Sequence, residues 1–207
     1  MRNNRKNLFL CAAAAAVLVT GCGRLDRVDQ TTVYADPDNG VIQEAIVEAY
    51  AEEDTYSESE LKAFVEEDAA AYNEETGEES VTVSGVNISK DQVEIQLRYS
   101  DCEQYAGYHR TDFFAGTLAQ AQEKGYDFLG TFLDAEGTET TISEVLSEHP
   151  DYHVVIFEEP IQILTESPVL YVSSNVTITS ETTAEVTEEN INQEVGVVTS
   201  EKAYVIY

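Results

Sequence analysis

Few residues in this sequence are of a type that does nucleophilic, acid–base or metal chemistry. There are three histidines, His109, His149 and His153, and three cysteines, Cys11, Cys22 and Cys102. Cys102 and His109 share the segment DCEQYAGYHR, which invites a nucleophile–base reading. A cysteine nucleophile must ionise, and a helix N-terminus or a neighbouring cation favours that. Cys102 falls where a helix is expected to start, but Asp101 and Glu103 flank it and oppose a thiolate. A buried, inert cysteine is the expectation.

His149 and His153 stand four apart, a spacing that lets one helix face hold zinc. Pro150 and Asp151 separate them and stop the helix, so no metal site is expected. Asp36, Asp38 and Asn39 resemble the start of a calcium loop, but Gly40 falls where the fifth-position ligand belongs, and Val47 replaces the final Glu. That segment reads as a turn. Glu158–Glu159 offers two carboxylates, but glycosidase carboxylates face each other across a cleft, and adjacency in sequence does not supply that. The chain has no Trp for stacking on sugars, no Gly-rich phosphate loop and no G-x-S-x-G elbow. No catalytic set, metal set or cofactor is therefore expected.

The amino terminus is more specific. Arg2, Arg5 and Lys6 precede an uncharged apolar run from Leu8 to Val19, 12 residues long. A spanning helix needs about 20 residues. The run has the length of a secretory h-region and ends in Val19-Thr20-Gly21-Cys22. This segment resembles the lipobox of bacterial prolipoproteins. The resemblance implies removal of residues 1–21, diacylglyceryl attachment at Cys22 and further acylation. It also implies an extracytoplasmic protein held at the cell membrane. Two acyl chains suffice for stable anchoring. Residues 22–30 would form a short tether, in which Arg24 and Arg27 are attracted to anionic headgroups. Cys11 leaves with the signal and lipid consumes Cys22, so Cys102 remains alone and no intramolecular disulfide is expected.

Residues 31–207 must then hold whatever site exists, and they read as one acidic domain. TTVYA, the turn DPDNG and VIQEAIVEAY suggest a β-hairpin or a strand with a turn. Ser57 with Glu60 forms a capping box for a helix carrying Leu61, Phe64, Val65 and Tyr72 and closed by Gly77. VTVSGVNIS and VEIQLRY pair as a second hairpin, with a bulge at Gly85 where the apolar phase switches. Asp101 to Gly125 is expected to be mostly helical, with Thr111 as a cap and Gly125 as its stop. In that stretch Tyr99, Tyr105, Tyr108, Phe113 and Phe114 are read as core. YDFLGTFLDAEG suggests a strand entering a turn, and Thr141 with Glu144 caps a short helix. HVVIF, IQIL, VLYVS, VTITS and the final AYVIY suggest strands, and ETTAEVTEENINQE an acidic surface excursion. The expected class is α+β, with a mixed or mainly antiparallel sheet, two main helices and one short helix. Its C-terminal half should be mostly β.

The chain has 207 residues with 11 Lys+Arg against 40 Asp+Glu, a net charge of −29. Loss of residues 1–21 removes three basic residues and no acidic one, leaving 8 against 40. Such a body repels phosphate backbones, so nucleic-acid binding is excluded as a class. A soluble monomeric body is expected, because like charge opposes association. Two functions stay open: a non-enzymatic binding or accessory module at the membrane, and a lipid-anchored hydrolase. Partners fitting the charge are the membrane through its anchor, a cationic peptide, a polyamine or a divalent cation.

Overall fold

The computed structural model describes residues 25–186, except 27, 52–55 and 90, together with residues 201–207. The signal-like segment and Cys22 lie outside the described residues, as do residues 187–200. Of the expected acidic excursion over residues 181–194, the described part is not a surface loop throughout, because Thr183–Glu185 pairs as a strand with Ala184 buried.

Of the two readings of the first segment, the hairpin is the one present. β1 (Thr32–Asp36) and β2 (Val41–Ala49) pair antiparallel, and the Asp36 carboxylate accepts from the backbone and side-chain amides of Asn39 in the turn. α1 (Glu58–Thr76) has both hydrogen bonds of the Ser57–Glu60 capping box and ends at Gly77, in the left-handed region at φ 76°. β3 (Val81–Ile88) and β4 (Gln92–Tyr99) form the second hairpin, with a register shift between Val83 and Gly85.

The segment from Asp101 to Gly125 is not one helical stretch. α2 (Cys102–His109) is capped by Asp101 and stops at Arg110, whose φ is 57°. β5 (Phe113–Thr117) follows, and α3 (Leu118–Glu123) starts from Thr117, not Thr111, with its own capping box to Gln120. Pairing decides the outcome: β5 lies against β8 (His153–Phe157), which puts Phe113 and Phe114 on opposite faces, each into a different core. Burial on both sides of a strand outweighs local helix preference. The short helix α4 (Ile142–Glu148) forms, but Thr141 makes no side-chain cap bond. Four helices are thus described, where two main and one short were expected.

The other strands are β6 (Phe132–Asp134), β7 (Glu139–Thr140), β9 (Gln162–Leu164), β10 (Tyr171–Ser173), β11 (Thr177–Ser180), β12 (Thr183–Glu185) and β13 (Ala203–Ile206). They assemble into two sheets. The seven-stranded sheet runs β11-β12-β9-β1-β2-β4-β3, with β1 and β9 parallel and its other pairs antiparallel. The six-stranded sheet runs β5-β8-β13-β10-β6-β7 and is antiparallel. The fold is α+β, and β-rich.

The main core joins the two sheets. Val33, Ala35, Ile42 and Leu97 from one meet Val155, Phe157, Ala203 and Val205 from the other. α1 adds Val65 and Ala69. On the far side of the six-stranded sheet, Val154, Ile156, Tyr204 and Ile206 pack with Leu118 and Ala121 of α3 and Val145 of α4. This explains why HVVIF and AYVIY are apolar without alternation: β8 and β13 are buried on both faces. A third, smaller cluster lies on the outer face of the seven-stranded sheet, where Leu25, 6% exposed, packs with Tyr34 and Ala45 beside Val28 and Leu164. The packed structure thus reaches back to Leu25, into the expected tether. Among the described residues, no helix is long and apolar enough to cross a membrane.

Candidate functional site

The two reactive pairings weighed from sequence do not assemble. Cys102 opens α2 and His109 closes it, so seven residues and about 10 Å of helix rise separate them. Burial pushes the Cys102 thiol up, with Asp101 and Glu103 adding to that, against the opposing pull of the Ala115 amide and Lys124. The cysteine is half-buried. His149 ends α4 and stacks flat on Tyr152, ring centroids 4.4 Å apart. His153 opens β8, lies edge-on to Tyr207, and has its Nε2 3.5 Å from Asp38. Among the described residues no three His, Cys, Asp or Glu side chains converge to hold a metal.

Glu158 and Glu159 face different surroundings. Lys202 donates to Glu158 at 2.8 Å and to Asp112 at 2.6 Å. Glu159 accepts from Tyr105 Oη at 3.1 Å. Lys202 and Asp112 also line an open groove of about 380 Å³ with Lys124, Gly125, Tyr126 and Asp127. Lys124 is paired with Glu103 at 2.7 Å, and Tyr126 Oη donates to Asp112 at 2.7 Å. Both lysines of this groove are therefore neutralised within the chain.

The densest chemistry lies elsewhere, around a carboxylate that no motif or spacing in the sequence singles out. Glu44 sits on β2 between Val33 of β1 and Leu97 of β4, on the face that carries the main core. It is 2% exposed. A buried carboxylate needs partners, because its desolvation otherwise costs several kcal/mol. α2 and β4 supply them. Tyr99 Oη donates to Glu44 Oε2 at 2.6 Å, and His109 Nε2 lies 2.9 Å from that same oxygen. Tyr105 Oη reaches Oε1 at 3.4 Å. His109 Nε2 is also 2.7 Å from Tyr99 Oη. Since the Tyr99 hydroxyl already donates its hydrogen bond to Glu44, consistent bonding requires His109 to carry hydrogen on Nε2.

Local structure explains the convergence. Tyr105 and His109 are one helical turn apart and so share a face of α2. Their rings approach to 4.5 Å between centroids. α2 is held against α1 by Tyr72 Oη at 3.1 Å from Gln104 Oε1 and by Tyr108 Oη donating to Asp68 at 2.6 Å. Glycine at position 107 leaves room for the Tyr72 hydroxyl, which a Cβ there would displace. The five aromatic residues expected to be core divide accordingly. Tyr99, Tyr105, Phe113 and Phe114 are buried and Tyr108 is partly so, but the hydroxyls of Tyr99 and Tyr105 serve Glu44.

The electrostatics follow from this burial. Burial opposes a charge on His109, but its hydrogen bond to Glu44 and the charges of Glu44 and Glu159 outweigh that and raise its pKa. Burial raises Glu159, with Glu44 adding to it, against the opposing effects of His109 and Tyr105. Burial, then the carboxylates of Glu44 and Glu159, hold Tyr105 well above the usual phenol range. Tyr105 thus bridges two carboxylates with a single proton. When Glu159 is protonated it can donate to Tyr105 Oη, which then donates to Glu44. This arrangement can store and pass a proton within the domain. Its central carboxylate is closed to solvent, and His109 and Glu159 form its partly exposed rim.

No protein-family model matches the chain, and no curated protein or solved structure is similar to it at a significant level.

Proposed function

We propose that this protein is a lipid-anchored, extracytoplasmic bacterial lipoprotein that acts as a non-enzymatic binding or accessory module, attached through Cys22. The observation that carries the binding reading is the exposed face of α1. This helix has seven carboxylates and one lysine, and in their midst Phe64 is 69% exposed. The Phe64 ring is left largely in water and so stays available to a partner. Surrounded by Glu60, Glu67 and Asp68, it suits a cationic peptide that also presents an apolar residue. Charge supplies encounter and orientation, and the ring supplies affinity. A polyamine or a divalent cation meets the same charges without using the ring, and no metal-holding group exists among the described residues.

The experiment is a titration of the domain with an amphipathic lysine-rich peptide at low and high salt. Binding is expected to weaken steeply with salt, as charges are screened beyond about 8 Å at physiological ionic strength. Phe64→Ala should weaken binding about tenfold and leave the melting temperature within about a degree of wild type. Equal binding by wild type and Phe64→Ala would contradict this reading.

One observation favours the second reading, a lipid-anchored hydrolase. His109 and Glu159 are both shifted upward and lie at the rim of the buried cluster. Perturbed groups of this kind accompany acid–base catalysis. Turnover of a peptide, ester or glycan substrate, lost in His109→Gln, would establish it in place of the first.

A further inference from the structure

We infer that the lipidated protein holds the outer face of its seven-stranded sheet toward the bilayer, clamped there by Leu25. The inference rests on attachment at Cys22 and adds to it the surface that meets the headgroups. Leu25 is buried against Tyr34 and Ala45, with Val28 and Leu164 beside it. Three residue steps separate it from Cys22, a reach of at most about 10 Å. A chain pinned so close to its lipid cannot swing freely. The face on which Leu25 is seated must lie near the headgroup layer.

The composition of that face agrees independently. Strand alternation assigns to it Thr32 and Tyr34 of β1, Gln43, Ala45 and Val47 of β2, Thr82 and Asn87 of β3, and Gln162 and Leu164 of β9. Its charges are Glu94, Arg98 and Glu185, with Asp36 at the edge where the β1–β2 turn begins. The segment seated on it adds Asp26 and Asp29, so the face is acidic, but its charges are spread over many strands among amide and hydroxyl groups, whereas α1 concentrates seven carboxylates on one helix. α1, with its seven carboxylates, packs through Val65 and Ala69 on the opposite face of the same sheet. Anionic lipid repels acidic surfaces within a Debye length. The orientation set by Leu25 turns the less repelled of these two faces inward and leaves the acidic helix pointing away.

The sequence contains no Trp, so a single introduced Trp is a clean reporter. Thr82→Trp on the outer face and Glu67→Trp on α1 are each made in the full chain and purified with lipid attached. Both are reconstituted into phosphatidylcholine vesicles containing one-fifth phosphatidylglycerol and a headgroup-spin-labelled quencher lipid. Quenching is expected to be at least threefold stronger at Thr82→Trp than at Glu67→Trp. The difference should disappear in Leu25→Ser. It should also shrink when six Gly-Ser residues are inserted after Gly23, a change that leaves Leu25 in place. Equal quenching at both positions in vesicle-bound wild-type background overturns the orientation and leaves anchoring intact. Failure of the purified chain to associate with vesicles, with Cys22 unmodified by mass, overturns the anchoring reading and this inference with it.

Discussion

Removing Tyr204–Tyr207 is expected to leave no folded domain. β13 occupies an interior position of the six-stranded sheet, paired with β8 on one side and β10 on the other. Its alternate residues enter both cores: Ala203, Val205 and Tyr207 face the one between the sheets, and Tyr204 and Ile206 the one under α3 and α4. All four deleted side chains are 6% exposed or less. At about 1.5–3 kcal/mol for each large apolar side chain buried, their loss amounts to about 6–12 kcal/mol. A domain has about 5–15 kcal/mol in total. The ladder bonds of β8 and β10 would be exposed as well, giving an aggregation-prone edge. Circular dichroism and soluble yield of the truncated chain test this. A cooperative melt near the wild-type midpoint would show that the strand is dispensable.

Replacing Glu44 by Leu is the second large effect. The carboxylate is the common acceptor for Tyr99, His109 and Tyr105, and its removal leaves their buried polar atoms without that partner. Breaking such a set costs about 3 kcal/mol, and for a domain of this size the melting temperature should fall by about 6–12 °C. Tyr99→Phe combined with Glu44→Leu should cost less than the sum of the two single changes, because one unsatisfied hydroxyl is then gone. The cluster also sets a pH dependence. His109 has a folded pKa raised above its unfolded value of about 6.5, so it binds more protons in the folded state. Its contribution is full below about pH 6.5 and is lost as pH rises through the raised folded value. Glu159, also raised, acts with the same sign at lower pH. Urea midpoints from pH 5 to 9 should therefore fall on the alkaline side in wild type, and His109→Gln should flatten that fall. Identical profiles for the two proteins would contradict the role assigned to His109.

Which features the sequence revealed follows from physical causes. Capping chemistry and hairpin phase are local, so the start of α1 and the bulge at Gly85 were readable from a few residues. The doubly buried strands were readable because a run such as AYVIY is costly to leave in water. The parallel pairing of β1 with β9 joins residues 130 positions apart, and no local pattern encodes it. β5 was missed because its phenylalanines lie in a window whose aromatic spacing also suits a helix, and only β8 fixes them as strand. Glu44 was hidden twice. It is one of 40 acids, and VIQEAIVEAY places apolar residues in both phases, so alternation alone cannot say which face is buried. Leu25 and Val28 left a faint trace as two apolar residues in an otherwise polar tether.

Anchoring at Cys22 is the claim on which membrane location, orientation and role all depend. The most direct measurement is the mass of the N-terminal peptide from the membrane fraction, for wild type and for Cys22→Ser. The expected result is a peptide beginning at Cys22 with a diacylglyceryl adduct and acyl chains, and in Cys22→Ser an uncleaved or unlipidated chain. A wild-type peptide carrying residues 1–21, or an unmodified Cys22 thiol in a protein that remains with the soluble fraction, would contradict it.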